Sequence, residues 1–275
     1  MNKEEVDKFI EKISTELKLR DCSKRTIESY TFFIKPFLES VENPETASLD
    51  NIKTFLAGLI DKYSNKSRAL AVSSLRFFFK RIIDRPDIFV KLEVPKKEKK
   101  LPVVLSVSEV KALIEAATHE KSQLIIKTLY SSGLRVSELI KLTPRDLNFE
   151  ENSGWVRKGK GGKDRIFKIA ETLANQIKRY LTKNPRNKYL FSQDRQMSAR
   201  NVQKIIKKTA EKAGIQKKVT PHTMRHSFAT HLLENGENLM VIQQLLGHEN
   251  LETTRIYTHI SQDQLNKVKN PLDRL

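Results

Sequence analysis

The sequence predicts a mainly α-helical protein with two domains and one small antiparallel β-sheet. At 275 residues the chain is longer than one typical domain. Apolar residues recur at helical spacing along most of the chain, whereas residues 146–170 alternate and contain glycine turns. A lysine-rich stretch between two prolines interrupts the helical pattern. We therefore predict a helical domain at 1–94, a basic linker at 95–104 and a mostly helical second domain with the sheet at 105–275.

Four amphipathic helices account for the first domain. Their predicted strings are NKEEVDKFIEKISTELKL, SKRTIESYTFFIKPFLESV, SLDNIKTFLAGLIDKY and SRALAVSSLRFFFKRII. Ser23 is the predicted N-cap of the second helix. Large apolar residues recur on one side of the second and fourth helices, at Tyr30, Phe33, Phe37, Leu38, Leu70, Leu75, Phe78 and Phe79. We interpret their aromatic rings as core rather than as platforms that stack on bases.

The linker string is KLEVPKKEKKLPVVLS, in which two prolines bracket four lysines and one glutamate. Its lack of apolar periodicity indicates a domain boundary. A solvated spacer and a strap that contacts phosphate groups are both compatible with this composition.

The second domain begins with a predicted capping box, Ser106 and Glu109. The helix SQLIIKTLYSSG ends at Gly133, which suits a left-handed C-cap, and the short helix RVSELIKL follows. After the sheet, helices resume at ETLANQIKRYLTK and SARNVQKIIKKTAEKAG. Four short helical segments complete the prediction, at 221–235, 238–246, 251–257 and 261–269.

The net charge of +18 and pI of about 9.8 predict a polyanionic partner. The charge is uneven: residues 1–95 carry 17 basic and 15 acidic residues, whereas residues 96–275 carry 34 and 18. A lysine-rich solubility surface explains part of this excess. The concentration of positive charge on residues 96–275 favours nucleic acid as the partner.

Cysteine usage and hydropathy point to an intracellular protein. Cys22 is the only cysteine, which excludes an intramolecular disulfide and a cysteine zinc cluster. No apolar run approaches the ~20 residues that span a bilayer, and the first residues lack a signal-peptide profile. We expect a cytoplasmic location and no membrane partner.

The string TPHTMRHSFATH, residues 220–231, contains half of the chain's six histidines. His222 and His226 stand four apart, as in the H-E-x-x-H zinc helix. Thr223 replaces the glutamate, however, and Arg225 would place a positive charge beside the metal. We therefore predict no metal site here and interpret His226 as a partly buried structural histidine.

The same string predicts a helix N-terminus suited to an anion. Thr220 is a good N-cap, and Pro221 fits the first helical position. One helical stripe contains His222, Arg225, Ala229, Leu232 and Leu233. His231 points to the opposite side. His222 and Arg225 are thus expected at the exposed tip of the inward face, where free N–H groups and the helix dipole attract anions.

Three further strings contain residues suited to phosphate chemistry. YSSGLRVSEL places Arg135 after a glycine turn with Glu138 one helical turn on, and GKGGKDR places Lys160 at a predicted hairpin tip. LLGHENLETTRIYTHI holds His248 after a glycine that ends a helix, and Tyr257 nine residues later. Taken singly, each residue has an ordinary interpretation as a surface charge or a packed aromatic.

Together these strings closely resemble the tyrosine site-specific recombinase (phage-integrase-like) family. The residues of these motifs are most similar to those of its Xer branch, including archaeal single-protein members. The match runs from about residue 105 to 260, and the N-terminal helices fit in length and pattern. The resemblance implies a four-helix SAM-like core-binding domain followed by the catalytic domain. It also implies that five residues surround the scissile phosphate, Arg135, Lys160, His222, Arg225 and His248, and that Tyr257 is the nucleophile.

The implied chemistry needs no cofactor, metal or ATP. Arg135 and Arg225 are planar cations matched to two nonbridging phosphate oxygens. His222 is the candidate base for the tyrosine, and Lys160 is the candidate acid for the departing 5′-oxygen. The product is a 3′-phosphotyrosine. The sequence contains neither a Walker loop nor a carboxylate cluster of two-metal type.

The expected partner is double-stranded DNA, bound by a homo-oligomer that forms a tetramer in the synapse. Because the N-terminal region is nearly neutral, a basic face must bind there. The candidates are predicted to lie at or near helix starts or in the linker, and they are Lys24, Arg25, Lys66, Arg68, Arg76, Lys80, Lys96 and Lys97. Taken singly, each of these residues has the ordinary interpretation of a solvated charge on the surface. The terminal string SQDQLNKVKNPLDRL either docks on a neighbouring protomer or frays.

The predicted function is site-specific recombination that resolves chromosome dimers at a dif-like site. Integration or excision of a mobile element is the alternative within the family. A type IB topoisomerase, a DNA-binding protein without catalysis and a zinc hydrolase are the competing classes. The similarity of the motifs to the Xer branch argues against a topoisomerase. The complete set of six catalytic residues argues against a DNA-binding protein without catalysis, and Arg225 argues against a zinc hydrolase.

Overall fold

Helices dominate the computed structural model, which describes residues 1–89, 103–157, 164–247 and 270–274. The chain divides into two units, Met1–Lys100 and Leu101–Leu275, and each has its own apolar core. A three-stranded antiparallel sheet accompanies the helices. The predicted mainly helical fold is therefore confirmed. Of the predicted linker, only residues 103 and 104 lie within the described residues.

The first unit contains four helices, as predicted: α1 Lys3–Leu19, α2 Lys24–Ser40, α3 Leu49–Ala57 and α4 Asn65–Arg81, followed by a 3₁₀ segment at Pro86–Phe89. An N-cap side chain begins each of these helices by accepting a hydrogen bond from the backbone N–H three residues on. The four caps are Asn2, Ser23, Ser48 and Ser64. Local sequence therefore sets where these helices start.

The third helix is shorter than its sequence pattern predicts. The expectation runs to Tyr63, but α3 ends at Ala57, and residues 58–63 form turns. Gly58 occupies the C-cap, and its N–H donates to the carbonyls of Leu56 and Thr54. Glycine is about 1 kcal/mol less favourable than alanine inside a helix, which favours termination at this residue.

Aromatic side chains form the core of the first unit. Phe37, Phe78 and Phe79 are fully buried. The rings of Phe37 and Phe79 meet edge to face at 5.7 Å between centroids, and those of Phe78 and Phe79 meet at 5.3 Å. These rings serve as core, as predicted. Tyr30 and Leu70 are half-buried at its margin.

The second unit contains the remaining described elements. Its helices are α5 Val107–Glu115, α6 Glu120–Ser132, α7 Val136–Leu139, α8 Glu171–Lys183, α9 Ala199–Lys212, α10 Pro221–Glu234 and α11 Leu239–Leu246, with 3₁₀ segments at Pro144–Asp146 and Pro271–Arg274. The predicted capping box of Ser106 and Glu109 is present before α5. Gly133 ends α6 in the left-handed region with φ 59°, as predicted. The helices predicted at 251–257 and 261–269 lie outside the described residues.

The predicted sheet consists of β1 Leu147–Asn148, β2 Ser153–Val156 and β3 Arg165–Lys168, in the order β1-β2-β3. Trp155 pairs with Ile166 in the antiparallel register of β2 and β3. Strand β3 packs on α11 and α6. The sheet thereby brings the residues that follow the glycine-rich string to the two helices whose ends form the candidate site.

The last described residues pack onto the second unit itself. Asn270 and Leu272 are buried, and the Asn270 side-chain amide donates to the Ser131 carbonyl at 2.7 Å. The 3₁₀ segment that begins at Pro271 lies against α6 and α10. Among the described residues, no helix is both long enough and apolar enough to cross a membrane.

Candidate active site

Arg135 is held at the start of α7 by the carboxylate one turn ahead of it. The left-handed Gly133 ends α6, and Arg135 then takes an extended conformation as the N-cap of α7. Its backbone N–H donates to Glu138 Oε2 at 2.9 Å, and its Nη1 donates to Glu138 Oε1 at 2.8 Å. The side chain is 23% exposed, so it is partly accessible to solvent.

Arg225 forms the buried floor of the site. It lies in the first half of α10 and is 6% exposed, so the prediction of an exposed tip is wrong for this residue. Nη1 donates to the Gly133 carbonyl at 2.6 Å, and Nη2 donates to the Leu246 carbonyl at 2.5 Å. Burial lowers the pKa of Arg225 to about 10, and the charges of Arg135 and Arg165 act in the same direction while Glu138 opposes them. The residue remains a cation at neutral pH.

Arg165, at the start of β3, completes the cluster. Its Nη2 donates to Glu138 Oε2 at 2.6 Å, and its Nη1 donates to the Leu245 carbonyl. Its side chain is 10% exposed. Burial lowers the pKa of Arg165, although the charge of Glu138 raises it. Sequence reasoning missed this residue, because an arginine in a short basic string carries no signal of burial.

Glu138 is an ionised carboxylate shared by two arginines. Its side chain is 6% exposed. Burial alone would raise the pKa of Glu138, but the charge of Arg165 and the hydrogen bonds from Arg135 and Arg165 outweigh it. Its pKa therefore lies below the usual value. The sequence placed Glu138 one turn after Arg135 without giving it a role.

The C-terminal end of α11 gathers all three arginines. Three consecutive carbonyls each accept from a different guanidinium: Leu245 from Arg165, Leu246 from Arg225, and Gly247 from Arg135 Nη2 at 3.2 Å. The negative end of a helix dipole favours cations at this position. This convergence brings together two of the predicted catalytic residues from separate parts of the chain.

His222 and His226 lie at the start of α10, and both are exposed. For His226 the prediction of a partly buried structural residue is wrong. Loss of part of its hydration lowers the pKa of His226, and the neighbouring His222 and Arg225 add to this effect. The N-cap Thr220 and Pro221 at the first helical position are present as predicted.

His231 is a core residue. It is 5% exposed, and its Nδ1 forms a 2.8 Å hydrogen bond with the hydroxyl of buried Tyr130. Burial raises the pKa of Tyr130, and the charge of Glu234 adds to the effect. The predicted inward stripe of α10 is wrong in part, because His222 and Leu233 are exposed. The placement of His231 on the opposite side is also wrong, because it is buried on the same face as Met224 and Phe228.

The predicted residues Lys160, His248 and Tyr257 lie outside the described residues, as do Lys96 and Lys97. Their neighbours in sequence are described: Gly247 directly precedes His248, and Asp164 and Arg165 follow the string that contains Lys160. Within the described ranges, no group of three or more histidine, cysteine, aspartate or glutamate side chains has the geometry of a metal site.

A cavity of about 580 Å³ adjoins Arg135. Lys141, Arg157, Trp155 and Asp146 contribute to its wall. Arg157 is 70% exposed and pairs with Asp146 at 3.2 Å. The charged lining, three cations and the carboxylates Glu138 and Asp146, sums to a net charge of +1.

The N-terminal DNA-binding candidates lie on two helices. Lys24 and Arg25 begin α2, and Lys66 and Arg68 lie in the first turn of α4. Arg76 and Lys80 lie in the second half of α4, so their predicted placement near a helix start is wrong. The Arg68 guanidinium donates to Asn65 and is half-buried, whereas the other five are exposed.

Comparison with known proteins extends the geometric picture. Residues 103–264 match the phage integrase family, and residues 9–87 match the phage integrase N-terminal SAM-like domain. Tyrosine recombinase XerA of Pyrococcus horikoshii is 41% identical over 264 residues, which cover 94% of this chain and 90% of that protein.

Two solved structures are similar along most of the chain. The crystal structure of XerA recombinase has a TM-score of 0.52 and 34% identity, and the alignment covers 94% of this chain and 96% of that one. The XerH site-specific recombinase bound to its difH substrate has a TM-score of 0.66 at 24% identity, with coverage of 93% and 81%. The second similarity establishes a shared fold.

Proposed function

The chain belongs to the phage integrase family, in the Xer branch of its tyrosine recombinases, and from that premise we propose that Tyr257 cuts and rejoins DNA at a specific site through a 3′-phosphotyrosine. The observation that carries the proposal is the convergence of Arg135 and Arg225 on the last carbonyls of α11, directly before His248 in sequence.

The two arginines bind the nonbridging oxygens of the scissile phosphate. Negative charge increases on these oxygens in the transition state, and fixed planar cations stabilise it without reorganising. Arg225 acts from a buried position, where the lower dielectric strengthens its attraction for the phosphate. Arg135 acts from a partly accessible position, held by its contacts with Glu138 and Gly247.

The proton transfers are assigned to His222 and Lys160. The Tyr257 oxygen attacks phosphorus while its proton passes to His222, which is exposed at the start of α10. The bond from phosphorus to the 5′-oxygen breaks, and Lys160 gives that oxygen a proton. His248 completes the set around the phosphate. Because the phosphotyrosine preserves the bond energy, rejoining to a second 5′-hydroxyl needs neither ATP nor a metal.

We further propose double-stranded DNA as the partner, a tetramer as the active assembly and the cytoplasm as the location. The +18 net charge supports the DNA partner. The similarity to XerA supports resolution of chromosome dimers at a dif-like site as the biological role.

The test of the reaction is the covalent adduct. Tyr257→Phe is expected to bind duplex DNA with the affinity of the wild type and to form no adduct, since its ring lacks the nucleophilic oxygen. Strand cleavage retained by that variant contradicts the assignment. A strong chelator is expected to leave wild-type cleavage unchanged, and a loss of cleavage revives a metal mechanism.

The test of the role is the position of the adduct on the genome. Wild-type protein is incubated with genomic DNA of its source, the adducts are trapped, and the attached sequences are read. One chromosomal site with inverted half-sites is expected. Attachment at the ends of mobile elements instead assigns the protein to integration and excision. Binding without any adduct supports the non-catalytic class.

A further inference from the structure

Arg165 is a buried cation with no place in the proposed chemistry. Its side chain is 10% exposed, and two of its donors are directed to protein atoms, at Glu138 Oε2 and the Leu245 carbonyl. A buried charge persists only where such partners compensate its desolvation. The contacts connect three elements: strand β3, the cap of α7 and the end of α11.

The hydrogen bond from Arg165 to Glu138 helps to orient Arg135, because Glu138 also binds Arg135. Glu138 Oε1 accepts from Arg135 Nη1, while Oε2 accepts from the Arg135 backbone and from Arg165 Nη2 at 2.6 Å. A charge-assisted hydrogen bond of this length fixes the plane of the carboxylate. Loss of Arg165 leaves Oε2 with the backbone contact and leaves Glu138 as a buried charge with one cation fewer.

Packing against Gly247 is the second way in which Arg165 acts. Gly247 has φ 63°, and a Cβ at this position would lie 2.6 Å from Arg165 Cδ. The Arg165 stem therefore rests on the backbone of the residue whose carbonyl accepts from Arg135 Nη2. The next residue in sequence is His248. Arg165 thus bonds to the carboxylate that holds Arg135 and packs beside the residue whose carbonyl accepts from Arg135.

We propose that Arg165 is a positioning residue for Arg135, acting through Glu138 and Gly247. The inference deepens the proposed function and rests on it for its effect on cleavage. Arg165 also begins β3, five residues after Lys160 in sequence. A structural role alone would change stability and leave the cleavage step intact once the protein is folded.

The test compares Arg165→Met with Arg165→Lys. Methionine keeps much of the stem and removes the guanidinium, whereas lysine keeps one charge without the planar fork. Arg179→Met is the matched control, because Arg179 is exposed on α8 in the same unit and its loss changes the net charge equally. The substrate is a nicked duplex that carries the attachment site mapped for the wild type, at saturating concentration.

The expected result is a loss of rate with DNA affinity retained. Arg165→Met is expected to lower the single-turnover rate of adduct formation about tenfold to 10²-fold, the effect of displacing a catalytic group by ~1 Å. Its Kd for the duplex is expected to stay near the wild-type value, because Arg165 is buried. Arg165→Lys is expected to recover part of the rate. Arg179→Met is expected to cleave at the wild-type rate.

A double-variant cycle with Glu138 distinguishes a positioning role of Arg165 from a general loss of structure. In a Glu138→Gln background, Arg165→Met is expected to cause little further loss, because its route to Arg135 is already weakened. A double variant whose loss equals the product of the two single losses overturns the inference. So does a folded Arg165→Met that cleaves at the wild-type rate. If Arg165→Met does not fold, Arg165→Lys carries the same comparison.

A second measurement keeps the inference separate from the proposed function. If the wild type forms no adduct, the proposed function fails, and the crystal structure of Arg165→Met or Arg165→Lys tests the inference directly. The contact from Arg135 Nη1 to Glu138 Oε1, now 2.8 Å, is expected to lengthen beyond hydrogen-bond distance. An unchanged Arg135 in that structure overturns the inference whatever the activity.

Discussion

Gly133→Ala is the substitution whose effect follows most directly from the coordinates. Gly133 lies in the left-handed region at φ 59°, and a Cβ there would lie 2.7 Å from both Leu246 Cδ2 and Phe228 Cδ1. The carbonyl of Gly133 accepts from Arg225 Nη1 at 2.6 Å. The added methyl group therefore strains the backbone, overpacks the core between α10 and α11, and disturbs a support of Arg225.

The expected cost is the sum of two effects. A left-handed conformation costs a residue with a Cβ about 1–2 kcal/mol. Overpacking a filled core costs about 1–3 kcal/mol. Together they predict a loss of about 2–5 kcal/mol in the free energy of unfolding of the second unit, which corresponds to a fall in Tm of roughly 4–20 °C for a domain of this size.

Gly214→Ala is the matched control. Gly214 also has a positive φ, of 70°, but a Cβ there would meet no atom within 4 Å. It therefore reports the backbone cost alone, about 1–2 kcal/mol. Urea unfolding followed by tryptophan fluorescence is the assay, because Trp155 is the only tryptophan of the chain and lies in the second unit. If Gly133→Ala loses no more stability than Gly214→Ala, the packing argument is refuted.

Two further predictions concern charge. Because the pKa of Glu138 is lowered in the folded protein, its stabilising effect is present above its unfolded pKa of about 4.3 and is lost as the pH falls through the folded value. The difference in Tm between wild type and Glu138→Gln is therefore expected to shrink below about pH 4, and a constant difference from pH 7 to pH 3 argues against this effect. Lys66→Gln is expected to reduce the salt dependence of DNA binding by about one unit of slope, measured by titration at several salt concentrations; an unchanged slope removes Lys66 from the DNA-binding face.

Local chemistry made much of the fold predictable. Ser106 with Glu109 and the left-handed Gly133 mark helix ends through contacts within a few residues, and both are present in the structure. The period of two over 146–170 predicted the sheet. The length of α3 was not predictable in this way, since apolar spacing continues past Gly58 although the helix does not.

Tertiary contacts account for what the sequence did not reveal. Arg165 and Glu138 are 27 residues apart, and the carbonyls that bind the arginines have no side-chain signature. The assignments of His226 and His231 failed for a related reason. They assumed an inward face that contains His222 and Leu233, whereas the buried face contains Met224, Phe228 and His231, an orientation that is set by neighbouring elements.

The charge balance of the cluster indicates why it suits a phosphate. Arg135 and Arg165 share the carboxylate of Glu138, whereas Arg225 bonds only to carbonyls, so these four side chains carry a net charge of +2. Their backbone acceptors supply only dipoles, and the repulsion that remains contributes to lowering the pKa of Arg225 to about 10. A guanidinium has five N–H donors, and Arg225 directs one from each terminal nitrogen to a carbonyl. An anion at the remaining donors relieves the repulsion without moving the arginines. In the proposed reaction the scissile phosphate would compensate these cations. Because they are fixed before the phosphate binds, they would stabilise the charge that develops in the transition state.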